Sequence, residues 1–222
     1  MSKLVWDKVG ARYYETGVDR GVLFVQKTDG SYEKGVAWSG LRSVNENPDG
    51  ADATDLYADN IKYGVMRSAE NFKATVGAYM APDEFDACDG CAEMVEGVTI
   101  GQQERTPFAL AYRTRVESDT SKGGKDYKLN IIYNATAAPS ERSHETVNDS
   151  PSAMELSWDV ETTPIEVEGF DPTAHITIDS RKVSVAAMKK IEEALYGTDS
   201  EESKLLLPNE LVEMIKQADA AA

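Results

Sequence analysis

The sequence predicts a mainly β protein, all-β or α+β in class, whose antiparallel strands form a sandwich or barrel followed by one or two C-terminal helices. Three observations predict it. Residues 106–138 alternate between apolar and polar side chains over two long runs joined by a polar connection. Several shorter alternating or apolar runs precede and follow that pair. After residue 183 the apolar spacing changes from every second residue to the three- and four-residue spacing of a helix.

The two runs at 106–138 predict one long β-hairpin. In the first arm one face carries Phe108, Leu110, Tyr112, Thr114 and Val116, and the second arm repeats the alternation with Tyr127, Leu129, Ile131 and Tyr133 on one of its faces. The opposite face carries Ala109, Ala111 and charged residues, so the pattern predicts one buried face and one face in water. Each arm has about ten residues, which is long against the usual strand of about five or six. Residues 118–126 contain Gly123 and Gly124 and are predicted to be a flexible tip.

The remaining elements are predicted from shorter patterns. Strands are expected at 21–26, 36–44, 56–66, 71–80, 154–165 and 174–179, and a short helix at 82–89. The polar stretches 45–55 and 139–152 are expected to be exposed loops. Near the C-terminus, Ser184 is a predicted helix N-cap, Gly197 is a predicted helix stop, and a final short helix is expected from about Pro208.

We expect a single domain over residues 1–222. It comprises an N-terminal arm (1–21), a β body (22–182) and a C-terminal helical segment (183–222). The arm has no clean periodicity and carries Trp6, Tyr13 and Tyr14 among charged residues. We interpret it as a segment that becomes ordered only when it docks on another surface.

Composition limits the classes of function. The chain has 222 residues, a net charge of −16 and 41% hydrophobic residues, which is enough for one globular body. It has no apolar run of about 20 residues and no secretory core, because charge returns at Asp7 after only three apolar residues. We therefore expect a soluble, cytoplasm-made protein without a membrane partner. The acidic excess disfavours a nucleic-acid-binding protein, which needs clustered Lys and Arg.

Charge is distributed unevenly along the chain. Residues 48–96 and 141–222 are strongly acidic, whereas the predicted hairpin is basic. Opposite charges on separate parts of one chain can fix the register of self-association. The candidate contacts between copies are ten polar or charged residues: Asn45, Asn47, Asp49, Asp52, Asp55, Arg113, Arg115, Lys122, Lys125 and Lys128. Pairing of these charges within one chain explains the pattern equally well.

Cys88 and Cys91 are the only cysteines, and they form a CxxC pair. A zinc site needs four ligands, and His144 and His175 stand alone in the sequence. A redox CxxC opens a helix after a strand in an α/β pattern, which this sequence lacks. We therefore interpret the two cysteines as reduced, partly buried thiols.

No other motif predicts a catalytic, metal or cofactor site. Asn45, Asn47 and Asp49 are spaced like the start of a calcium loop, but Leu56 stands where the bidentate Glu belongs, so a solvated turn is favoured. Residues 35–40 lack the spacing of a nucleophile elbow, and residues 123–126 lack that of a phosphate-binding loop. We therefore expect no catalytic residue, no bound metal and no cofactor. That expectation favours a structural protein over an enzyme.

Several segments, spread in order along nearly the whole chain, together resemble one protein family. They are Gly-Val-Ala-Trp-Ser-Gly-Leu at 35–41, Asp-Leu-Tyr-Ala-Asp-Asn-Ile-Lys-Tyr at 55–63, Pro-Asp-Glu-Phe at 82–85, Ala-Tyr-Arg at 111–113, Tyr-Lys-Leu at 127–129, Trp-Asp-Val-Glu-Thr-Thr-Pro at 158–164 and Leu-Tyr-Gly-Thr at 195–198. In these segments the chain is similar to the major tail tube proteins of phages with long, non-contractile tails (siphophage major tail proteins).

The resemblance implies a structural subunit with a β-sandwich or barrel-like body and a flanking helix. In that family six copies close into a ring, and long strands from each copy join into one β-barrel around a channel. Rings stack around the tape-measure protein, with tail terminator and tail-tip proteins as further partners, and viral DNA later passes through the channel without specific binding. The implied location is the tail of the virion, after assembly in the cytoplasm of the bacterial host.

Other functions stay open at this point. The chain can instead be a β-sandwich binding module of a tail tip, or a related secretion-system tube protein. An enzyme with a site built from acidic loops is the third alternative. Formation of rings or tubes at high concentration distinguishes a tube subunit from a binding module.

Overall fold

The computed structural model describes residues 4–120, 126–146 and 153–220, and it confirms a mainly antiparallel β fold with two helices at the C-terminal end. The strands are β1 Tyr13–Val25, β2 Val36–Trp38, β3 Leu41–Glu46, β4 Asp49–Gly50, β5 Ala53–Ala58, β6 Ile61–Arg67, β7 Glu70–Asn71, β8 Lys73–Ala78, β9 Ala92–Val95, β10 Val98–Ile100, β11 Phe108–Ser118, β12 Asp126–Ala137, β13 Leu156–Thr162, β14 Ile165–Val167, β15 Phe170–Thr173 and β16 His175–Asp179. The helices are α1 Val185–Tyr196 and α2 Pro208–Ala220, and a 3₁₀ turn spans Asp83–Phe85.

Eight strands form the main sheet. Their order is β2-β1-β11-β12-β13-β8-β3, and β16 pairs with β12 as well. The strand β12 is shared because residues 128–132 pair with β16, whereas residues 135–137 pair with β13. Asn134, between these two parts, has a left-handed backbone with φ 45°, a conformation that Asn adopts more readily than most residues. The long strand therefore changes partner at Asn134 and joins the two halves of the sheet.

Two hydrophobic cores lie on opposite faces of the long strands. The first packs side chains from both halves of the sheet around the ring contacts of Trp38, Phe85 and Trp158, with centroids 4.7 to 5.7 Å apart. The second packs the other face, with Phe24 and Tyr133, against apolar side chains of α1 and α2. The long strands are therefore covered on both sides over much of their length.

This double burial corrects the prediction for the central hairpin. Its strands β11 and β12 are confirmed, but part of the β11 face expected in water is buried, because Ala109 and Ala111 lie in the second core with 0% and 3% exposure. Arg113, Arg115 and Glu117 on the same face are half-buried or exposed. Their small side chains leave room for a helical layer, and alternation alone does not distinguish such a position from a solvent-facing one. The predicted tip with Gly123 and Gly124 falls in residues 121–125, outside the described residues.

The C-terminal helices follow the predicted signals. The Ser184 hydroxyl accepts a hydrogen bond from the Ala187 amide at 3.2 Å and caps α1, which ends before Gly197 at φ 77°. Helix α2 begins at Pro208, as predicted. Between the helices, the buried Tyr133 hydroxyl donates to the Leu206 carbonyl at 2.8 Å. This bond attaches the segment before α2 to the sheet.

The region before β8 differs from the prediction. The expected strand 36–44 is two strands, because Gly40 at φ 76° makes a turn between β2 and β3. The expected loop 45–55 is largely strand, since its residues belong to β3, β4 and β5. The expected strand 56–66 is a hairpin, because Asp59 and Asn60 both have positive φ, 48° and 64°. Two successive residues of this kind form the turn that fits a two-residue hairpin.

The N-terminal boundary also differs. Strand β1 starts at Tyr13 and therefore includes the last nine residues of the predicted arm. Its register on β11 shifts beside Gly17 and again near Arg20, and both residues have positive φ. These irregularities interrupt the alternation, so the strand has no recognisable sequence pattern.

The hairpins β9–β10 and β14–β15 were also not predicted. All of their residues are exposed or half-buried, and neither face is consistently apolar.

Candidate assembly interface

Four strands of the main sheet, β1, β11, β12 and β16, form a continuous antiparallel ribbon whose two outer edges are open. At one side, residues 13–19 of β1 pair with β11 alone, since β2 reaches only Gly21, Val22 and Leu23. At the other side, β16 pairs with β12 alone. Within the described residues, no further strand pairs with residues 13–19 of β1 or with the outer edge of β16. An unpaired strand edge is a template for pairing with another chain.

The hydrogen bonds of β16 define which backbone groups face outward. The Tyr133 amide donates to the Ala174 carbonyl at 2.8 Å, and the Ser180 amide donates to the Tyr127 carbonyl at 3.1 Å. In an antiparallel pair these contacts alternate, so the amide and carbonyl of Thr177 point away from β12. Neither group pairs with another strand among the described residues. The outward groups of His175, by contrast, are close to the hydroxyl of Thr173.

The edge of β1 follows the same rule. The Asp119 amide donates to the Arg12 carbonyl at 3.2 Å, so the backbone of the next residue, Tyr13, and that of Glu15 point outward. Both edges thus expose the hydrogen-bonding groups that a neighbouring strand needs. The sequence pattern at 174–179 predicted β16 as a strand but gave no signal for an open edge, because pairing partners are not encoded in a local pattern.

The predicted basic contact residues pair within the chain. The Asp19 carboxylate accepts hydrogen bonds from Arg113 at 2.7 and 2.8 Å and from Arg115 at 2.9 and 3.1 Å. The Arg113 bonds, supported by Arg115, lower the pKa of Asp19 to about 2. Lys128 forms an ion pair with Glu15, and Glu15 also accepts from the Thr114 hydroxyl at 3.2 Å. Intramolecular pairing, the alternative explanation of the charge pattern, therefore accounts for these three basic residues.

The other two predicted basic residues, Lys122 and Lys125, lie outside the described residues. The predicted acidic and amide residues, by contrast, fall in three consecutive strands and their connections. Asn45 is in β3, Asp49 is in β4 and Asp55 is in β5, with Asn47 and Asp52 in the short connections between these strands. Their contribution to contacts between copies stays a prediction.

Residues 47–71 form a projecting hairpin, which consists of the stem β4–β7 and the hairpin β5–β6. Within it Asp55 pairs with Lys62 at 2.7 Å, and at its base Asp49 pairs with Lys73 at 3.3 Å. All of its residues are exposed except Ala51 and Gly64, which are half-buried. The strands β5 and β6 pair only with each other.

The projecting hairpin exposes large apolar side chains. Tyr57 is 71% exposed, Ile61 65%, Tyr63 77% and Met66 61%. A two-stranded hairpin without a packed face is marginally stable in water. Tyr57 pairs with Lys62 and Ile61 pairs with Ala58, so these apolar side chains lie on both faces of the hairpin. Large exposed apolar surface marks an interaction site in soluble proteins. The projecting hairpin is therefore the second candidate contact surface.

A partly buried polar cluster connects the base of the projecting hairpin with the ribbon. The Tyr112 hydroxyl donates to Glu46 Oε1 at 2.7 Å, and His175 Nε2 lies 3.8 Å from the same oxygen. The imidazole stacks on Phe72 at 4.6 Å between ring centroids. Burial lowers the pKa of His175, although the Glu46 carboxylate opposes this shift. The cluster joins β3, β11 and β16 and has the character of a structural support.

The two cysteines lie in the surroundings of structural residues. Cys88 and Cys91 are both free thiols. Cys88 is fully buried, and burial followed by the Asp89 charge raises its pKa to about 12, which keeps it in the unreactive thiol form near neutral pH. Within residues 4–120, 126–146 and 153–220, no group of three or more His, Cys, Asp or Glu side chains is placed to hold a metal ion. No helix in the same ranges is long and apolar enough to span a membrane.

Comparison with known proteins leaves the family open. No protein family model matches the chain, and no curated protein matches it. Among solved structures, the sheath-tube complex of PVC, an extracellular contractile injection system, aligns over 79% of this chain and 94% of the other at 12% identity and a TM-score of 0.33. The sheath/tube terminator of the same system aligns over 74% and 97% at 11% identity and a TM-score of 0.30. TM-scores this low do not establish a shared fold, so neither similarity supports a functional argument.

Proposed function

We propose that this chain is the structural subunit of a phage tail tube, in which copies join side by side into a ring. The observation that carries the proposal is the pair of open edges on one four-stranded ribbon, β1 at one side and β16 at the other. Neighbouring strands in the ribbon run in opposite directions, so β1 and β16 do as well. Pairing β1 of one copy with β16 of the next therefore continues the antiparallel order without interruption.

Such a joint uses two different surfaces and repeats from copy to copy. A repeated joint of this kind closes into a ring when the rotation fits and otherwise forms an open filament. The resemblance to siphophage tail tube proteins supports closure with six copies. Closure also pairs every exposed ribbon edge and removes the risk of uncontrolled edge-to-edge aggregation.

In the ring, one face of the ribbon lines the channel. Helices α1 and α2 cover the opposite face through the second core, and the face left for the channel carries Glu15, Thr114, Lys128 and Thr177. Lys128 is the one cation among these four residues, and it is already paired with Glu15. The whole chain has a net charge of −16. A lining without free positive charge does not hold phosphate groups, so DNA passes through without specific binding.

The projecting hairpin joins stacked rings. Its exposed apolar side chains, Tyr57, Ile61, Tyr63 and Met66 among them, need a partner surface, and an adjacent ring supplies one. Asn45, Asn47, Asp49, Asp52 and Asp55 flank that contact. The further partners of the assembled tube are the tape-measure protein inside it and terminator and tail-tip proteins at its ends. The site of assembly is the host cytoplasm, and the final location is the virion tail.

Ring formation by the purified chain tests the proposal. Sedimentation velocity and negative-stain microscopy over a concentration series are expected to show rings of six copies, alone or stacked into tubes. A chain that stays monomeric at every concentration contradicts the proposal and is the result that a tail-tip binding module predicts.

A further inference from the structure

A groove runs along the open edge of β16, between this strand and helix α2. Apolar side chains form most of its lining: Ile176, Ile178, Val183, Leu211 and Ile215. Its volume of about 410 Å³ falls within the range of about 300–1,000 Å³ in which pockets enclose compact ligands. Lys182 stands at the rim and is exposed.

The N-terminal segment, residues 4–12, carries large apolar side chains that are mostly exposed within the described part of the chain. Leu4, Val5, Trp6 and Val9 are 73% to 76% exposed. Its hydrogen bonds to the sheet among the described residues lie near its end, where the Gly10 amide donates to the Asp119 carboxylate at 3.0 and 3.2 Å and the Arg12 carbonyl accepts from the Asp119 amide at 3.2 Å. An apolar segment held at one end behaves as a docking arm for another surface.

We propose that the N-terminal segment of one copy fills the β16–α2 groove of the neighbouring copy. This inference rests on the ring joint proposed above. When β1 of one copy pairs antiparallel with the outer edge of β16 in the next, the chain upstream of Tyr13 continues past Asp179 towards Lys182 and Val183. That direction brings the segment to the mouth of the groove.

Apolar and charged groups match in this arrangement. The apolar residues of the segment pack against the half-buried side chains of Ile176, Val183 and Ile215, whereas Ile178 and Leu211 already pack in the second core. Asp7 meets Lys182, whose ammonium group remains available because the neighbouring Asp179 carboxylate is already held by Arg181 at 2.6 Å. The present contact of Asp7, with Arg12 at 3.9 Å, is long and exposed, so exchanging it costs little.

Photo-crosslinking in mixed assemblies tests the contact. Trp6 is replaced by the photoreactive residue p-benzoylphenylalanine in unlabelled protein, which is mixed with heavy-nitrogen-labelled wild-type protein and assembled. Mass spectrometry then separates links between copies from links within one chain. We expect links from position 6 of an unlabelled chain to residues 176–183 or 211–215 of a labelled chain. Links confined to the same chain, or links to other surfaces, contradict the inference.

Ring stability gives a second, independent readout. The variant Trp6→Ala is expected to raise the concentration for half-maximal ring formation by about tenfold, because a buried Trp commonly dominates a contact. The matched control is Phe170→Ser, which removes a 79% exposed aromatic side chain from the β14–β15 hairpin and leaves ring formation unchanged. Wild-type rings that Trp6→Ala does not weaken contradict the inference but not the tube function. A wild-type chain that never forms rings contradicts both.

Discussion

The carboxylate of Asp19 on β1 accepts two hydrogen bonds from the guanidinium of Arg113 on β11, at 2.7 and 2.8 Å. Arg115 is the second partner of the same carboxylate and donates to it from Nη2 at 2.9 Å and from Nε at 3.1 Å. The cluster lies where the register of β1 shifts, and it holds the exposed first half of β1 on β11. In the proposed ring this half of β1 is the joining edge, so the ion pairs inside one chain position the contact between chains.

The variant Asp19→Asn should lower the free energy of unfolding at about pH 7 by about 1–2 kcal/mol, because the folded state holds the ionised carboxylate. The folded pKa of about 2 lies below the ordinary value of 3.8, so this stabilisation is complete above 3.8 and is lost as the pH falls towards 2. Urea unfolding at several pH values measures it, with Asp52→Asn on the projecting hairpin as the control. An Asp19→Asn variant whose stability follows wild type at every pH contradicts this expectation.

The variant Tyr133→Phe should lower the free energy of unfolding by about 1–2 kcal/mol, because it leaves the buried Leu206 carbonyl without its donor. The loss should be local as well as global, since this bond holds the segment before α2 on the sheet. Amide hydrogen exchange of α2 should speed up in the variant, while exchange in β8 and β13 stays near wild type. Tyr32→Phe, whose hydroxyl makes longer contacts of 3.3 and 3.4 Å, is the comparison.

The free energy of unfolding should decrease as the pH is lowered from about 7 to about 5, because of His175. Its pKa in the folded chain lies below the ordinary 6.5, chiefly through burial, so the fold favours the neutral imidazole. As the pH drops through 6.5, the unfolded chain binds the proton first and stability decreases. The variant His175→Gln should lose this part of the pH dependence, whereas His144→Gln, on an exposed residue, should keep it. Equal slopes for His175→Gln and wild type would show that the imidazole is not held neutral.

The variant Thr177→Pro should block ring formation without unfolding the chain. Proline removes the amide of residue 177, which points away from β12 and is not used by the fold. Thr177→Val is the matched control, because both variants lose the hydroxyl bond to Asn130 but only the proline variant loses the amide. Circular dichroism should be alike for both, and sedimentation should show rings only for the valine variant. Rings formed by a folded Thr177→Pro variant argue against β16 as a joining edge.

Removal of the projecting hairpin should separate stacking from ring closure. Deleting residues 45–55 would cut β3, whose Asn45 and Glu46 pair with β8. Replacing residues 53–67 with a short glycine linker instead leaves the main sheet intact. We expect single rings and no tubes by negative-stain microscopy. Tubes of normal length after this replacement contradict the stacking role of the hairpin.

Local sequence signals predicted those elements whose ends or buried faces depend on nearby residues alone. Ser184 and Gly197 define the ends of α1 by capping chemistry, and Ala74 and Val76 alternate because one face of β8 is in the core. The burial of Ala111 was not predictable, since it depends on a helical layer more than seventy residues further along the chain. The Asp59-Asn60 pair was a readable turn signal that the prediction of one strand over 56–66 missed.

The candidate interface depends on relations that no local pattern contains. Thr177 is notable only because its strand is the last in the ribbon, and that position follows from long-range pairing. The basic residues Arg113 and Arg115 were predicted from charge alone, but their partner Asp19 lies in a stretch interrupted by bulges. The exposure of Tyr63 and Ile61 likewise appears only once β5 and β6 are found to pair solely with each other.

A cryo-electron microscopy map of the assembled particle, at a resolution that traces individual strands, tests the central claim most directly. We expect a ring in which residues 13–19 of one copy form antiparallel hydrogen bonds with the outer edge of β16 in the next copy. A ring in which the amide of Thr177 faces solvent, or in which copies meet through the helices α1 and α2 without β1–β16 pairing, would contradict it.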